Sequence, residues 1–156
     1  MNITESVVVD AAPADVFPLV ESLDRYPLWM RLVHDVEAVN GRDPAGSSIG
    51  DPAWSVELRA RVGPFARSKR LRMVRTVHVP DVAVAFERAE IDGRDHARWA
   101  LRVDLTSVGH ESTSVQVHLS YDGRLWTGGV LERVLDDEVR RGREGLARLV
   151  SDGPTH

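Results

Sequence analysis

The chain has 156 residues, of which 42% are hydrophobic and 28% are charged, a balance typical of one globular domain with its own core. It contains no cysteine, which excludes disulfides, zinc–thiolate centres and thiol nucleophiles. The formal net charge of -4 argues against nucleic-acid binding. The sequence contains no run of about 18 apolar residues, so no membrane-spanning helix is predicted.

The first part of the chain predicts a strand followed by two short helices. The residues from Ile3 to Asp10 alternate and are rich in valine, which favours a strand. Pro13 suits the first position of a helix, and Pro18 should kink or shorten that helix. Asp24 is placed to cap a second short helix, RYPLWM. The N-terminus lacks the basic and apolar regions of a signal peptide, so we expect a cytoplasmic protein.

The middle of the chain predicts six antiparallel strands. Residues 35–40 form the first, and residues 41–52 are the longest loop signal in the chain. Five alternating runs follow, each with one apolar face. The turns between the later runs, at Pro80-Asp81, Asp92-Gly93 and around Gly109, are short, so neighbouring strands must be antiparallel.

The last predicted element is a long helix from Gly128 to Ser151, whose apolar residues recur at helical spacing. It would span about 33 Å and is the only element long enough to cover the apolar face of the sheet. We therefore predict an α+β domain over residues 1–152 and a short tail over residues 153–156. Gly142 lies on the apolar stripe, where its missing side chain leaves either a close contact or empty space.

The turn lengths, taken without bulges, predict which residues face each other across the sheet. The predicted pairs are Val79–Val82, Arg75–Phe86, Met73–Arg88, Phe86–Trp99, Trp99–Leu119 and Ala97–Tyr121.

This register places polar side chains on the inward face of the sheet, namely Arg75, Arg88, Glu90 and Tyr121. Charged groups facing a dry core would cost several kcal/mol each, by the usual cost of an unpaired buried charge. They therefore pair with one another, reach solvent at the strand ends, or face a pocket that holds water or a ligand.

Two stretches of the sequence resemble the START-like or SRPBCC superfamily, which includes polyketide cyclases/dehydrases and lipid-transport proteins. They are the opening VVVDAAPADVFPLVESLDRYPLWM and the ending GGVLERVLDDEVRRGREGLARLV, and the resemblance spans essentially the whole chain. It implies the Bet v 1-like helix-grip fold, in which a seven-stranded antiparallel sheet wraps around a long C-terminal helix. It also implies a deep pocket between sheet and helix, which favours empty space at Gly142. Members commonly bind lipids, sterols, polyketides or quinones, and some are aromatase/cyclases.

We therefore hypothesise that the chain binds a hydrophobic small molecule with a carbonyl or carboxylate group, which Arg75 or Arg88 would hold. The candidate ligand-binding residues are Phe17, Trp29, Met73, Arg75, Phe86, Arg88, Trp99, Tyr121, Val139 and Gly142.

Two alternatives stay open at this point. The first is a cofactor-free polyketide cyclase or dehydratase, with Glu90 accepting a proton, Tyr121 donating one and Arg88 or Arg75 polarising a carbonyl. The second is a regulatory protein that acts through protein contacts. The histidines show no metal-ligand spacing, so we expect no metal site. We also expect no cofactor, and a weak homodimer is possible.

Overall fold

The computed structural model describes residues 2–39, 52–62, 64–122 and 130–151, without the side chains of Val62 and residues 130–132. Residues 41–51 of the predicted loop, the pair Gly128–Gly129 and the tail over residues 153–156 lie outside the described residues. The elements are β1 (Asn2–Val9), α1 (Pro13–Val20), a 3₁₀ helix (Leu23–Leu28), β2 (Val33–Val39), β3 (Ala53–Val62), β4 (Phe65–Val79), β5 (Ala83–Arg88), β6 (Trp99–Gly109), β7 (Ser112–Tyr121) and α2 (Val130–Ser151).

The seven strands form one antiparallel sheet in the order β1-β7-β6-β5-β4-β3-β2. β1 and β2 are the two edges, so the chain between them, α1 and the 3₁₀ helix, runs from one edge of the sheet to the other. The long helix α2 packs on the same side. The predicted fold class, a seven-stranded antiparallel sheet with two short helices and a long C-terminal helix, is confirmed.

The two short helices differ in detail from the prediction. α1 has Pro13 in its first turn and includes Pro18, and it ends after eight residues. The second helix is a 3₁₀ helix that begins at Leu23, with Ser22 at the capping position. The prediction that Asp24 caps this helix is therefore wrong: Asp24 lies in the first turn and accepts a hydrogen bond from the Ser22 hydroxyl.

The pairing of β4 with β5 contains two deviations from the predicted register that cancel. Val79 pairs with Ala83 and not with Val82, because the turn includes Val82. A bulge at Thr76 then adds one residue to β4. The pairs beyond the bulge are the predicted ones, Arg75–Phe86 and Met73–Arg88.

The next two pairings are each shifted by two residues. Residues 89–98 connect β5 to β6, so Asp92-Gly93 is not the tip of a tight hairpin. Phe86 pairs with Leu101 instead of Trp99, and Trp99 pairs with Tyr121 instead of Leu119. Because side chains alternate with a period of two along a strand, a shift of two leaves every apolar residue on its predicted face.

The helix α2 docks on the segment that carries the 3₁₀ helix through two glycines. A Cβ atom at Gly142 would lie 3.2 Å from Cε of Met30, whose side chain is fully buried. A Cβ atom at Gly145 would lie 2.5 Å from the backbone oxygen of Trp29, far inside van der Waals contact. Both glycines therefore allow close approach, and the space beside Gly142 is filled by Met30.

Candidate ligand-binding site

A small cavity lies between the inward face of the sheet, the 3₁₀ segment and α2. Its volume, taken as the space open to the centre of a water-sized sphere, is about 20 Å³. All the side chains around it are hydrophobic: Leu23, Met30, Leu32, Val33, Val56, Leu58, Leu71, Met73, Trp99, Leu101, Leu119 and Val139. The cavity is large enough for about one water, whereas drug-sized ligands need about 300–1,000 Å³. Among the described residues, the structure thus shows a small apolar cavity between sheet and helix, where the resemblance implied a deep pocket.

Three of the candidate ligand-binding residues line this cavity. Met73 and Trp99 reach it from β4 and β6, and Val139 reaches it from α2. Sequence reasoning missed Met30, although it directly follows Trp29. It also missed Leu23, the first residue of the 3₁₀ helix, and Leu32, which lies after that helix. The hydrophobic pattern marked these residues only as core, because pattern gives burial and not the position of a void.

Three aromatic candidates pack in the core outside the cavity lining. Phe17 lies with its ring 5.5 Å from that of His78. The indole Nε1 of Trp29 donates to the backbone oxygen of Leu19 at 2.9 Å. Phe86 is fully buried and meets the rings of Tyr26 and Trp54 edge-on, at 5.7 and 5.5 Å. Each of these rings has an ordinary packing role in this structure.

Tyr26 anchors the 3₁₀ helix beneath α1. Its hydroxyl donates to the backbone oxygen of Val20 at 2.9 Å, and burial raises its pKa well above the ordinary value. The phenol therefore remains protonated and keeps this donor role at neutral pH.

Arg75 is engaged with the end of α1. Its Nη1 donates to the backbone oxygen of Glu21 at 2.8 Å, and Glu21 is the C-terminal cap of that helix. A cation is favoured at a helix C-terminus because the unpaired carbonyl groups there are partially negative. This contact ties β4 to α1 and engages Nη1 of the guanidinium that the sequence suggested as a ligand anchor.

Arg88 and Glu90 pair with each other, which is one of the three arrangements left open by the sequence. Arg88 Nε donates to Glu90 Oε1 at 3.0 Å, and its side chain is only 7% exposed. The same carboxylate oxygen accepts the backbone N–H of Arg72 at 3.0 Å. Arg88 also donates to the backbone oxygen of Ala97 at 3.3 Å. Together these bonds hold the connection between β5 and β6 against the sheet.

His96 and Asp92 extend the Arg88–Glu90 hydrogen-bond network at its exposed rim. His96 Nδ1 is 3.2 Å from Arg88 Nη2, and His96 Nε2 is 2.9 Å from the Asp92 carboxylate. Since an arginine can only donate, this geometry fits a neutral His96 that carries its proton on Nε2. The backbone N–H of Arg94, and then His96, lower the pKa of Asp92. Glu90, the predicted proton acceptor, and Arg88, a candidate to polarise a carbonyl, are thus both engaged within a structural network.

Trp99 and Tyr121 form the aromatic end of the site. They face each other across β6 and β7, with ring centroids 4.4 Å apart and ring planes at 41°. Both are buried, at 6% and 3% exposure. Trp99 lines the cavity, so its contact with the Tyr121 ring brings that phenol next to the cavity wall.

An ion pair that sequence reasoning missed joins α2 to the 3₁₀ segment. Arg31 Nε lies 3.0 and 2.9 Å from the two carboxylate oxygens of Glu138, and Nη2 lies 2.8 Å from Oε1. The Glu138 side chain is 5% exposed and that of Arg31 is 56% exposed. The sequence offered one indication that Glu138 is buried. It lies three residues after Leu135, and this spacing places it on the edge of the apolar stripe of α2.

The described residues offer neither a metal-binding cluster nor a membrane-spanning helix. Within residues 2–39, 52–62, 64–122 and 130–151, no cluster of three or more histidine, aspartate or glutamate residues could hold a metal ion. None of the helices in those same ranges is both long enough and apolar enough to cross a membrane.

Comparison with known proteins places this geometry in a family. The model of the family described as "Polyketide cyclase / dehydrase and lipid transport" matches residues 1–151. Among curated protein sequences, none matches the chain significantly.

Several solved structures share the fold at low sequence identity. The protein TTHA0849 from Thermus thermophilus is 16% identical, with a TM-score of 0.74 over 99% of this chain and 100% of that one. A START superfamily protein from Mycobacterium smegmatis is 14% identical, with a TM-score of 0.73 over 97% of each chain. The Zhui aromatase/cyclase from Streptomyces sp. R1128 is 14% identical, with a TM-score of 0.69 over 99% of each chain.

Proposed function

Because the chain belongs to the polyketide cyclase/dehydrase and lipid transport family, we propose that it binds a hydrophobic small molecule between the sheet and α2. The observation that carries this proposal is the cavity, whose lining is entirely hydrophobic and comes from both the sheet and the helix. An interior of this chemistry favours lipid-, polyketide- or quinone-like molecules over sugars, nucleotides or free ions.

Binding requires the cavity to grow, and two of its walls are suited to that change. Met30 and Met73 line the cavity, and methionine side chains are flexible and adapt to irregular spaces. Met30 fills the gap above Gly142, so a change of its rotamer would open space directly beneath α2. The described cavity is then the closed form of a larger site.

The energy available for this change can be estimated from area. A ligand that buries about 250 Å² of apolar surface, as much as a large aromatic side chain, gains about 6 kcal/mol before costs. Moving one methionine out of its packed rotamer and ordering the ligand consume part of that gain. Weak binding, with a Kd of about 0.1–1 mM, is the expected result for a bicyclic aromatic compound, with tighter binding for larger ligands.

Isothermal titration calorimetry with 1-acetonaphthone, a neutral bicyclic ketone, tests the proposal. We expect one site per chain and a negative heat-capacity change on binding, which marks burial of apolar surface. No binding up to the solubility limit of the ketone would contradict the proposal. Binding with the same affinity by the thermally unfolded protein would contradict it as well.

A second candidate function is cofactor-free cyclisation or dehydration of a polyketide. Tyr121 favours it, since this buried phenol lies against the ring of Trp99 at the cavity wall. One of the similar structures is an aromatase/cyclase. Turnover of a poly-β-ketone substrate by the wild type, lost in Tyr121→Phe without loss of ligand affinity, would support this candidate. Binding without any turnover would leave the chain as a binding protein.

A further inference from the structure

The indole N–H of Trp99 is a buried donor for which the described residues supply no acceptor. Its ring borders the cavity, and the residue is 6% exposed. Across the ranges that the structure describes, no acceptor lies within hydrogen-bonding distance of Trp99 Nε1. Buried N–H groups nearly always have a partner, so this one points to a missing acceptor. Trp29 shows the ordinary arrangement, since its Nε1 donates to the backbone oxygen of Leu19 at 2.9 Å.

The nearby cations are already committed to protein groups. Arg75 donates to the backbone oxygen of Glu21 at 2.8 Å, and Arg88 Nε donates to Glu90 at 3.0 Å. A ligand carboxylate would therefore have to displace one of these contacts or stay unpaired in an apolar cavity. An unpaired buried charge is far more costly than a neutral carbonyl group that receives one hydrogen bond.

Resting on the proposed function, we infer that the ligand carries a neutral oxygen acceptor, such as a ketone, quinone or ester carbonyl, which binds the Trp99 indole N–H. An indole only donates, so it selects a ligand group that accepts a hydrogen bond. The polar recognition of the ligand is assigned to Trp99, and the arginines keep their structural roles.

Three probes of similar size separate the relevant chemistry. They are 1-acetonaphthone, which has a carbonyl, 1-ethylnaphthalene, which has none, and 1-naphthoate, which is an anion. Their affinities are measured by calorimetry for the wild type, for Trp99→Phe and for Trp54→Phe. Trp54 is a matched control because it is a buried tryptophan on a strand and does not line the cavity.

The expected result is a change in selectivity. The ratio of ketone affinity to hydrocarbon affinity should fall about threefold to tenfold in Trp99→Phe, as expected for one hydrogen bond, and stay unchanged in Trp54→Phe. The naphthoate should bind most weakly to the wild type. An unchanged ratio in Trp99→Phe, or tightest binding by the naphthoate, would overturn the inference and leave the proposed function intact. If none of the probes binds, both fail.

An observation on the wild type covers the case in which Trp99→Phe does not fold. The indole ¹⁵N–¹H signal of Trp99 is identified by its proximity to the Tyr121 ring, 4.4 Å away. The ketone should move this proton downfield, as a new hydrogen bond does, and the hydrocarbon should not. An equal response to both probes would overturn the inference.

Discussion

Two glycines on α2 allow a direct measurement of how closely this helix approaches the 3₁₀ segment. The substitutions are Gly142→Ala and Gly145→Ala, made separately. Each removes a glycine from the same helix, so each should gain about 1 kcal/mol of helix propensity. Any difference in stability between them therefore reports what the new methyl group contacts.

The contacts differ in kind. At Gly142 the nearest atoms are Cε, Cγ and Cβ of the Met30 side chain, at 3.2, 3.3 and 3.4 Å, and a methionine can yield by a few tenths of an ångström. At Gly145 the nearest atom is the backbone oxygen of Trp29 at 2.5 Å, and only a shift of the whole helix relieves that overlap. Overpacking of this kind costs about 1–3 kcal/mol.

We expect Gly145→Ala to be less stable than Gly142→Ala by about 1–3 kcal/mol in the free energy of unfolding. For a domain of this size that corresponds to a difference in Tm of about 3–10 °C, measured by far-ultraviolet circular dichroism, with urea unfolding as a second readout. Equal stability of the two variants, or a more stable Gly145→Ala, would refute the close approach of α2 to the Trp29 backbone.

Three further predictions follow from single contacts. Val139→Leu should weaken the binding of 1-acetonaphthone, measured by calorimetry, about tenfold, because the larger side chain fills the cavity that Val139 lines. The same substitution at Val150, which is buried but lies outside the cavity lining, should change the affinity by less than about twofold. Arg31→Ala should lower the free energy of unfolding by about 1–2 kcal/mol, since it leaves a buried carboxylate unpaired. About half of the arginine side chain is exposed, which limits the loss. The control is Arg141→Ala, which removes an ion pair that is exposed on both sides and should cost less than about 0.5 kcal/mol. The pKa of the Asp92 carboxyl is lowered in the folded protein, so ¹³C NMR should show it titrating below the ordinary aspartate range. Its contribution to stability is therefore present above the unfolded pKa and is lost as pH falls through the folded pKa. Titration at or above the ordinary value would contradict the hydrogen-bonded geometry.

Sequence patterns predicted the faces of the strands better than their pairing. Hydrophobic alternation constrains each residue to one side of the sheet, so the inward positions of Trp99 and Phe86 were predicted correctly. Turn length does not fix pairing when bulges and longer connections occur. The connection over residues 89–98 changed the register without changing any face. The bulge at Thr76 changed both, because Val77 and Val79 pair with Ala85 and Ala83 and so lie on the face opposite to that of Phe86.

The candidate site was less predictable because it depends on side-chain packing. The pattern placed Arg88 and Glu90 inward or at a strand end, but it could not choose between solvent, a ligand and each other as partners. Nor could it show that Met30 fills the gap beside Gly142, since a void and a filled contact leave the same glycine in the sequence. Met73, Trp99 and Val139 were found because the hydrophobic pattern places all three on an inward face, although Trp99 is the first residue of its strand.

The most direct test of ligand binding under α2 uses the methyl groups of methionine. The chain has three methionines, and two of them, Met30 and Met73, line the cavity. Selective ¹³C labelling of the methionine methyl groups makes both of these side chains visible by NMR. During titration with 1-acetonaphthone we expect the Met30 and Met73 signals to shift together and saturate with one affinity. Unchanged Met30 and Met73 signals at concentrations where calorimetry detects binding would show that the ligand binds elsewhere and would contradict the proposed site.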